Sequence, residues 1–182
     1  LAVHDGEVFG FVGPNGAGKS TFLKCVLGIV RADAGEMKLG QGADVVDARR
    51  RPLEARRRIG YSPGETSLYQ SLRADDFLRF ALAHYPQADL AAGRALLERF
   101  GLPPRKRIKG FSHGMKRKLL LSQALACGAP VLMLDEPMEG LDPDARRTVE
   151  QLLVEAAGQG RTVFFSSHDL ASVERICDRV AF

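Results

Sequence analysis

No apolar run in this 182-residue sequence approaches the length of a membrane-spanning segment. A transmembrane helix needs about 20 consecutive apolar residues, whereas runs such as residues 131–134 (VLML) are short. The first five residues (LAVHD) also lack the basic region and the apolar core of a signal peptide. We therefore expect a water-soluble polypeptide, and any role at a membrane must come through a partner.

Cysteines are few, and the excess of positive charge is small. Cys25, Cys127 and Cys177 stand far apart and in no metal-ligand spacing, which indicates free buried thiols in a reducing cytoplasm rather than a disulfide framework. The net charge of +4 is too small to predict a nucleic-acid partner. Two basic clusters, within residues 49–58 and 105–118, are more typical of solvated helix and loop faces than of a binding patch.

The order of the predicted elements indicates a single α/β domain. Continuous apolar strands that alternate with helices predict a mostly parallel sheet covered on both faces. Residues 66–127 contain no strand pattern, so we interpret them as a helical subdomain inserted between core residues 1–65 and 128–182. Strands are predicted near residues 7–12, 35–40, 59–63, 131–134, 162–166 and 180–182, and helices near 19–27, 77–85, 90–100, 113–127, 143–158 and 170–176.

A glycine-rich turn between the first predicted strand and helix matches the phosphate-loop pattern G-x-x-x-x-G-K-[ST]. Gly13, Gly16 and Gly18 let backbone N–H groups curl around an anion without a Cβ in the way, and the following helix points its positive end at the same place. Lys19 is expected to reach the β- and γ-phosphates of a nucleotide, and the Ser20 hydroxyl to bind Mg²⁺. The predicted phosphate-binding residues are Gly13, Pro14, Asn15, Gly16, Ala17, Gly18, Lys19, Ser20 and Thr21.

Two carboxylates follow the apolar strand at residues 131–134. A strand end places Asp135 near the phosphate loop, where it can hold Mg²⁺ through water. Glu136 is then a candidate general base for an attacking water molecule. An acidic capping pair before Pro137 would explain Asp-Glu alone better, but the phosphate loop on a neighbouring strand favours the metal and catalytic roles.

Beside the phosphate loop, four segments resemble sequences of the ATP-binding domain of ABC transporters. Residues 135–137 (DEP) and 140–143 (GLDP) look like the Walker B and D-loop sequences of that family. Residues 166–169 (SSHD) resemble its switch-histidine segment, and residues 111–115 (FSHGM) stand at the place of its LSGGQ signature. The resemblance covers essentially the whole chain, with the motifs in the family's order.

The resemblance implies a P-loop ATPase fold with a small antiparallel β part and an inserted helical subdomain. It also implies ATP and Mg²⁺ as ligands, and Lys19, Glu136 and His168 as catalytic residues. Two such domains would pair head to tail, so that signature residues act on the ATP of the other subunit while Asp142 communicates across the interface. The signature residues here are Ser112, His113, Gly114 and Met115.

The same resemblance implies a membrane-spanning permease as partner, at the cytoplasmic face of a bacterial inner membrane. The signature and the segment at residues 139–143 (EGLDP) look most like those of ABC-2 type exporters. The resemblance to the family further implies a strand and an adenine-stacking aromatic residue ahead of Leu1. The printed chain is therefore expected to be incomplete at both ends and a poor ATPase by itself.

The sequence departs from the family pattern in two places. His113 and Met115 replace the Gly and Gln of the commonest signature. Gly64 stands where the family usually has a Gln that touches Mg²⁺, with Glu65 beside it. A carboxylate is a suitable Mg²⁺ ligand, so Glu65 is either a replacement ligand or an exposed loop residue.

Two rival functions are weighed against this interpretation. Residues 110–114 (GFSHG) match the G-x-S-x-G elbow of serine hydrolases, and Ser112, Asp142 and His168 follow the chain order of a triad. However, the elbow needs a strand before it, and this alternative leaves the phosphate loop unexplained. The second rival is an ABC ATPase of DNA repair or translation, but those proteins generally carry long coils or two tandem cassettes, which do not fit in 182 residues.

Overall fold

A computed structural model of the chain describes residues 1–40 and 42–182. Its strands are β1 (Val8–Val12), β2 (Lys38–Leu39), β3 (Val46–Asp47), β4 (Ile59–Ser62), β5 (Val131–Asp135), β6 (Thr162–Ser167) and β7 (Arg179–Ala181). Its helices are α1 (Lys19–Val26), α2 (Pro52–Arg57), α3 (Ala74–Leu82), α4 (Leu90–Arg99), α5 (His113–Ala126), α6 (Pro143–Gly158) and α7 (Leu170–Ile176). Short 3₁₀ turns occur at Gly42–Asp44 and Ile108–Gly110.

Five strands form a parallel sheet in the order β4-β5-β6-β1-β7. The register pairs Asp135 with Ser166 and Val12 with Ser167. Because all five strands run the same way, their carboxyl ends meet at one edge of the sheet. The phosphate loop after β1 and the acidic pair at the end of β5 therefore lie on the same side.

Successive side chains of each central strand point to opposite faces of the sheet, so alternate residues belong to two different hydrophobic clusters. Phe9, Met133 and Phe164 face the cluster that contains Leu23 of α1. The alternate residues of β1, β5 and β6 belong to the larger cluster on the other face, together with residues of α3 to α6. Burial on both faces explains why these strands read as continuous apolar runs.

The segment at residues 66–127 carries α3, α4 and α5, and within it the structure describes only one isolated bridge, between Arg73 and Arg107. Leu78, Leu97 and Leu121 of these helices belong to the same buried cluster as Val8 and Leu132 of the sheet. The helical segment and the sheet therefore share a core. The division into a core and an inserted subdomain stays a prediction.

The predicted fold class is confirmed: a mostly parallel α/β sheet with a small antiparallel pair, here β2 and β3. The sequence did not predict β3 or α2. Each is short, and the charged stretch at residues 49–51 between them carries no apolar periodicity. The helix is held by its neighbours, since Arg56 Nε donates to the Leu27 carbonyl at 2.8 Å. No helix within the described residues is long and apolar enough to cross a membrane.

Candidate functional site

The glycine-rich loop between β1 and α1 forms an open concave surface. Gly16 and Gly18 have φ values of +84° and +92°, and a Cβ built on either would meet no atom within 4 Å. Gly18 also precedes the first turn of α1 without a side-chain cap, so the N–H groups of that turn point into the loop. Backbone of this shape at a helix N-terminus favours an anion.

Lys19 is buried at the start of α1, and the loop curls around its ammonium group. Its Nζ atom donates to the carbonyl oxygens of Gly13 at 2.7 Å and Pro14 at 3.1 Å. The same atom lies 3.2 Å from Glu136 Oε1. The loop therefore places one fixed positive charge beside the acidic pair.

One cleft of about 570 Å³ brings the phosphate loop, the acidic pair and the loop after β4 together. The cleft joins segments that are up to 124 positions apart in sequence, namely Asn15 and Glu139. It is lined by Asn15, Gly16, Gly18, Lys19, Ser20, Thr21, Lys24, Ile29, Tyr61, Pro63, Gly64, Glu65, Asp135, Glu136 and Glu139.

Asp135 is buried, with 2% of its surface exposed, as the last residue of β5. Its Oδ1 atom accepts a hydrogen bond from Ser166 Oγ at 2.7 Å, and this hydroxyl accepts from the Glu136 N–H at 3.0 Å. The other carboxylate oxygen faces Gly64, where a built Cβ would lie 2.9 Å from Oδ2. No cationic side chain of the described residues forms an ion pair with Asp135 within 4 Å. A buried carboxylate of this kind favours a cation in the cleft.

Glu136 is held in a left-handed backbone conformation with φ +48°, unique among the non-glycine residues that the structure describes. Strained backbone of this kind clusters at functional sites. Its carboxylate lies between Lys19 and His168, with Oε2 3.0 Å from His168 Nδ1. Because a carboxylate oxygen accepts, Nδ1 is the donor of this hydrogen bond.

The predicted signature residues lie away from the cleft that contains the phosphate loop. Ser112 caps α5, and its Oγ accepts from the Met115 N–H at 3.2 Å. Gly114 packs against the turn before α6, where a Cβ would lie 3.2 Å from the Gly140 carbonyl oxygen, and His113 borders the same glycine. The chain therefore does not bring Ser112–Met115 to its own phosphate loop.

Asp142 caps α6 and contacts α5. Its Oδ1 atom accepts from the Ala145 N–H at 2.8 Å, which lowers the pKa of Asp142, and Oδ2 lies 3.4 Å from Lys118 Nζ.

The three residues of the serine-hydrolase alternative are engaged elsewhere: Asp142 caps α6, Ser112 caps α5, and His168 pairs with Glu136. The residues before Gly110 form a 3₁₀ turn rather than a strand. The serine-hydrolase alternative is therefore wrong.

Glu65 lines the cleft but is 80% exposed. Its Oε1 atom lies 3.6 Å from Lys24 Nζ, an exposed ion pair of the kind that contributes little stability. Glu65 is thus near the predicted metal position, whereas the shorter Gly64 is in direct contact with Asp135. The geometry leaves both interpretations of Glu65 open to experiment.

A sequence profile of the family described as ABC transporter matches residues 1–139, which is more than half of the chain. The chain belongs to the ABC transporter family. The family assignment predicted from the motifs is confirmed.

Individual relatives of this ABC transporter chain agree with the profile. An ABC transporter ATP-binding protein of Synechocystis sp. is 38% identical and covers 100% of this chain, which spans 51% of that protein. The fluoroquinolones export ATP-binding protein of Mycobacterium tuberculosis is 36% identical over 100% of this chain, which spans 60% of that protein. A solved structure of the ATP binding subunit of an ABC transporter superimposes with a TM-score of 0.85 at 30% identity, covering 98% of this chain and 75% of that one.

The residues of this ABC transporter chain fit a triphosphate and a hard divalent cation. The glycine loop leaves room for phosphate oxygens, and Lys19 supplies a positive charge. Ser20 and Asp135 line the cleft and carry side-chain oxygens, the kind of ligand that Mg²⁺ prefers. The buried Oε1 atom of Glu136 accepts no hydrogen bond from the described residues, although the Lys19 ammonium lies 3.2 Å away as its ion-pair partner.

Sequence reasoning missed Arg117 at the edge of this ABC transporter site. The side chain is fully buried and binds the loop after β4. It was interpreted as part of a solvated basic cluster because Lys116 and Lys118 flank it. A signal was present, since Arg117 shares a helix face with Leu121 and Ala124, and both are buried.

Proposed function

We propose that this chain is the nucleotide-binding part of an ABC transporter, which binds ATP with Mg²⁺ and hydrolyses it to drive transport. The observation that carries the proposal is the cleft that joins the Lys19 loop to Asp135 and Glu136. A fixed cation, oxygen ligands and a carboxylate base meet there, and those are the groups that phosphoryl transfer to water needs.

The proposal gives roles to the phosphate loop, the acidic pair and His168. The backbone N–H groups at residues 13–21 and the Lys19 ammonium bind the phosphates, while Ser20 and Asp135 would hold Mg²⁺. When bound, Mg²⁺ would neutralise charge on the β- and γ-phosphates. Glu136 accepts the proton of the attacking water, and His168 contacts the γ-phosphate and orients that water.

The proposal extends to a head-to-tail pair of ATPase domains. In such a pair Ser112, His113, Gly114 and Met115 contact the γ-phosphate held by the partner domain. Support comes from their position at the N-terminus of α5, outside the chain's own cleft. Asp142 follows the turn against which Gly114 packs, so it is placed to communicate across the same interface.

We place this pair at the cytoplasmic face of a bacterial inner membrane, bound to a permease subunit, with no nucleic-acid partner. Export is favoured because the mycobacterial relative is named as an export ATP-binding protein. The DNA repair and translation alternative has no observation in its favour. Isolation of the full-length protein with a polytopic membrane protein would test the partner.

Loss of the loop lysine tests the proposed ligand. In the full-length protein, Lys19→Ala should weaken ATP binding by about 10- to 100-fold, because hydrogen bonds between charged groups contribute about 1.5–3 kcal/mol. Lys38→Ala is the matched control, since Lys38 is exposed and pairs with Glu36 outside the cleft. Titration with a fluorescent ATP analogue measures both. Equal affinity of the two variants would contradict the proposed site.

The Mg²⁺ dependence of ATP hydrolysis tests the role of Glu65. If Glu65 replaces the family's glutamine as a ligand, Glu65→Ala should raise the Mg²⁺ concentration for half-maximal hydrolysis by about tenfold. Lys24→Ala removes the ion-pair partner and serves as the control for a purely electrostatic effect. An unchanged Mg²⁺ dependence in Glu65→Ala would remove this residue from the metal site.

A further inference from the structure

Arg117 is completely buried at the second turn of α5, beneath the loop that follows β4. Its Nη1 atom donates to the Pro63 carbonyl at 2.8 Å and lies 3.4 Å from the Asp135 carbonyl. Its Nη2 atom donates to the Gly64 carbonyl at 2.6 Å and lies 3.4 Å from Glu139 Oε2. One planar side chain thus spans the loop after β4 and the end of β5.

Burial of this guanidinium is costly, because desolvation disfavours the charge and Nε has no hydrogen-bond partner in the part of the chain that the structure describes. Burial also lowers the pKa of Arg117, although an arginine stays protonated. Among the described residues, the one carboxylate in hydrogen-bond contact with it is that of Glu139, which is half exposed. A well-packed apolar side chain of similar size would avoid this cost, so stability alone is a poor reason for an arginine here.

The contacts point to a role in placing backbone. Gly64 has no side chain with which to hold its own loop, and a Cβ built there would lie 2.9 Å from Asp135 Oδ2. The Pro63 and Gly64 carbonyls are instead bound from the side of α5. Because the donors of a guanidinium are fixed in one plane, the three carbonyl oxygens cannot shift independently.

We propose that Arg117 is a positioning residue that sets the separation between the Pro63–Gly64 loop and Asp135, and so aligns the metal-binding edge of the cleft with α5. This inference rests on the proposed ATP site. Ser112 caps the same helix one turn earlier. A displacement of α5 therefore moves the Pro63–Gly64 loop and the end of β5 together. The start of α5 is the segment proposed to contact the partner's nucleotide. Arg117 thus links that segment to the proposed Mg²⁺ position of the same chain.

The absence of tryptophan from the printed sequence allows a clean probe of the loop. Tyr69 lies five positions after Gly64, is largely exposed and packs edge-on against Phe80. Tyr69→Trp in the full-length protein, with any tryptophan outside the printed chain replaced by phenylalanine, gives a single emitter there. Its emission without nucleotide reports the loop independently of ATP binding.

Arg161 offers a matched control for Arg117. It is also a largely buried arginine that donates to three backbone carbonyls, those of Ala124, Leu125 and Ala129. Burial likewise lowers its pKa. However, Arg161 immediately precedes β6, at the end of the parallel sheet opposite the cleft. Arg161→Met should therefore cost stability without changing the site.

In the probe background, Arg117→Met should shift tryptophan emission in the nucleotide-free protein. It should also raise the Mg²⁺ concentration for half-maximal binding of a fluorescent ATP analogue by about 10- to 100-fold. Arg117→Lys keeps the charge but not the planar fork, so its increase should be smaller. Arg161→Met should lower the melting temperature without either change.

The inference would be overturned if Arg117→Met changed neither the tryptophan emission nor the Mg²⁺ dependence. It would also be overturned if Arg161→Met changed both as much as Arg117→Met does, or if Arg117→Lys matched the unmodified protein in both measurements. The lysine variant decides the matter if the methionine variant does not fold. Failure of the unmodified protein to bind the analogue would contradict the proposed function instead. The emission of the nucleotide-free variants would still test the placement of the loop.

Discussion

Glu136→Gln in the full-length protein should reduce ATP turnover by about 10²- to 10⁴-fold, the usual effect of removing a general base. The amide has the shape of the carboxylate, and Glu136 contributes only its backbone N–H to the hydrogen bond with Ser166 Oγ. The left-handed turn after β5 should therefore persist. What changes is the charge between Lys19 and His168.

ATP binding by Glu136→Gln should be retained or become tighter. In the unmodified protein Glu136 Oε1 lies 3.2 Å from Lys19 Nζ and competes with a phosphate for that ammonium. Without the negative charge, Lys19 is free for the nucleotide, and no carboxylate repels the γ-phosphate. Slow hydrolysis with intact binding should then cause an ATP-bound pair of domains to accumulate.

Steady-state hydrolysis, titration with an ATP analogue and size-exclusion chromatography with ATP measure these three effects. Glu155→Gln is the control, because Glu155 pairs with Arg99 on the surface and should leave turnover unchanged. If Glu136→Gln hydrolysed ATP as fast as the unmodified protein, Glu136 would not be the base. Loss of both binding and turnover would indicate a structural role at the loop instead.

The fold was largely predictable because its central strands are buried on both faces. A parallel sheet under two layers of helices produces continuous apolar runs, and those of β5 and β6 stand out in the sequence. Helix α7 was predicted at its observed bounds, Leu170–Ile176. In contrast, α2 is six residues long and depends on tertiary contacts such as that of Arg56 with Leu27, which no local pattern encodes.

The site was predictable where chemistry requires particular residue types at fixed spacing. The structure brings Lys19, Asp135 and Glu136 into one cleft, as their positions at parallel strand ends predicted. The left-handed backbone of Glu136 was not predictable, and the burial of Arg117 was indicated only by the helix face that it shares with Leu121 and Ala124. Each depends on how segments distant in sequence pack together.

Gly60→Ala should destabilise the protein severely, although alanine is the smallest possible change. Gly60 lies in β4, where a built Cβ would overlap the carbonyl oxygen of Ala124 and lie 2.7 Å from the Cys127 sulfur. Ala124 lies in the last turn of α5 and Cys127 directly follows that helix, and a backbone carbonyl cannot rotate away as a side chain can. Overpacking a core costs about 1–3 kcal/mol, and we expect the upper end of that range.

Gly158→Ala is the matched control for this prediction. Gly158 ends α6, and a Cβ there would meet nothing within 4 Å. The same substitution should stabilise the protein by about 0.5–1 kcal/mol, because glycine weakens a helix relative to alanine. Urea denaturation measures the free energy of unfolding of both variants, which should fall for Gly60→Ala and rise for Gly158→Ala. A Gly60→Ala variant as stable as the unmodified protein would show that α5 can move away from β4. The packing of β4 against the end of α5 would then not be a rigid feature of the fold.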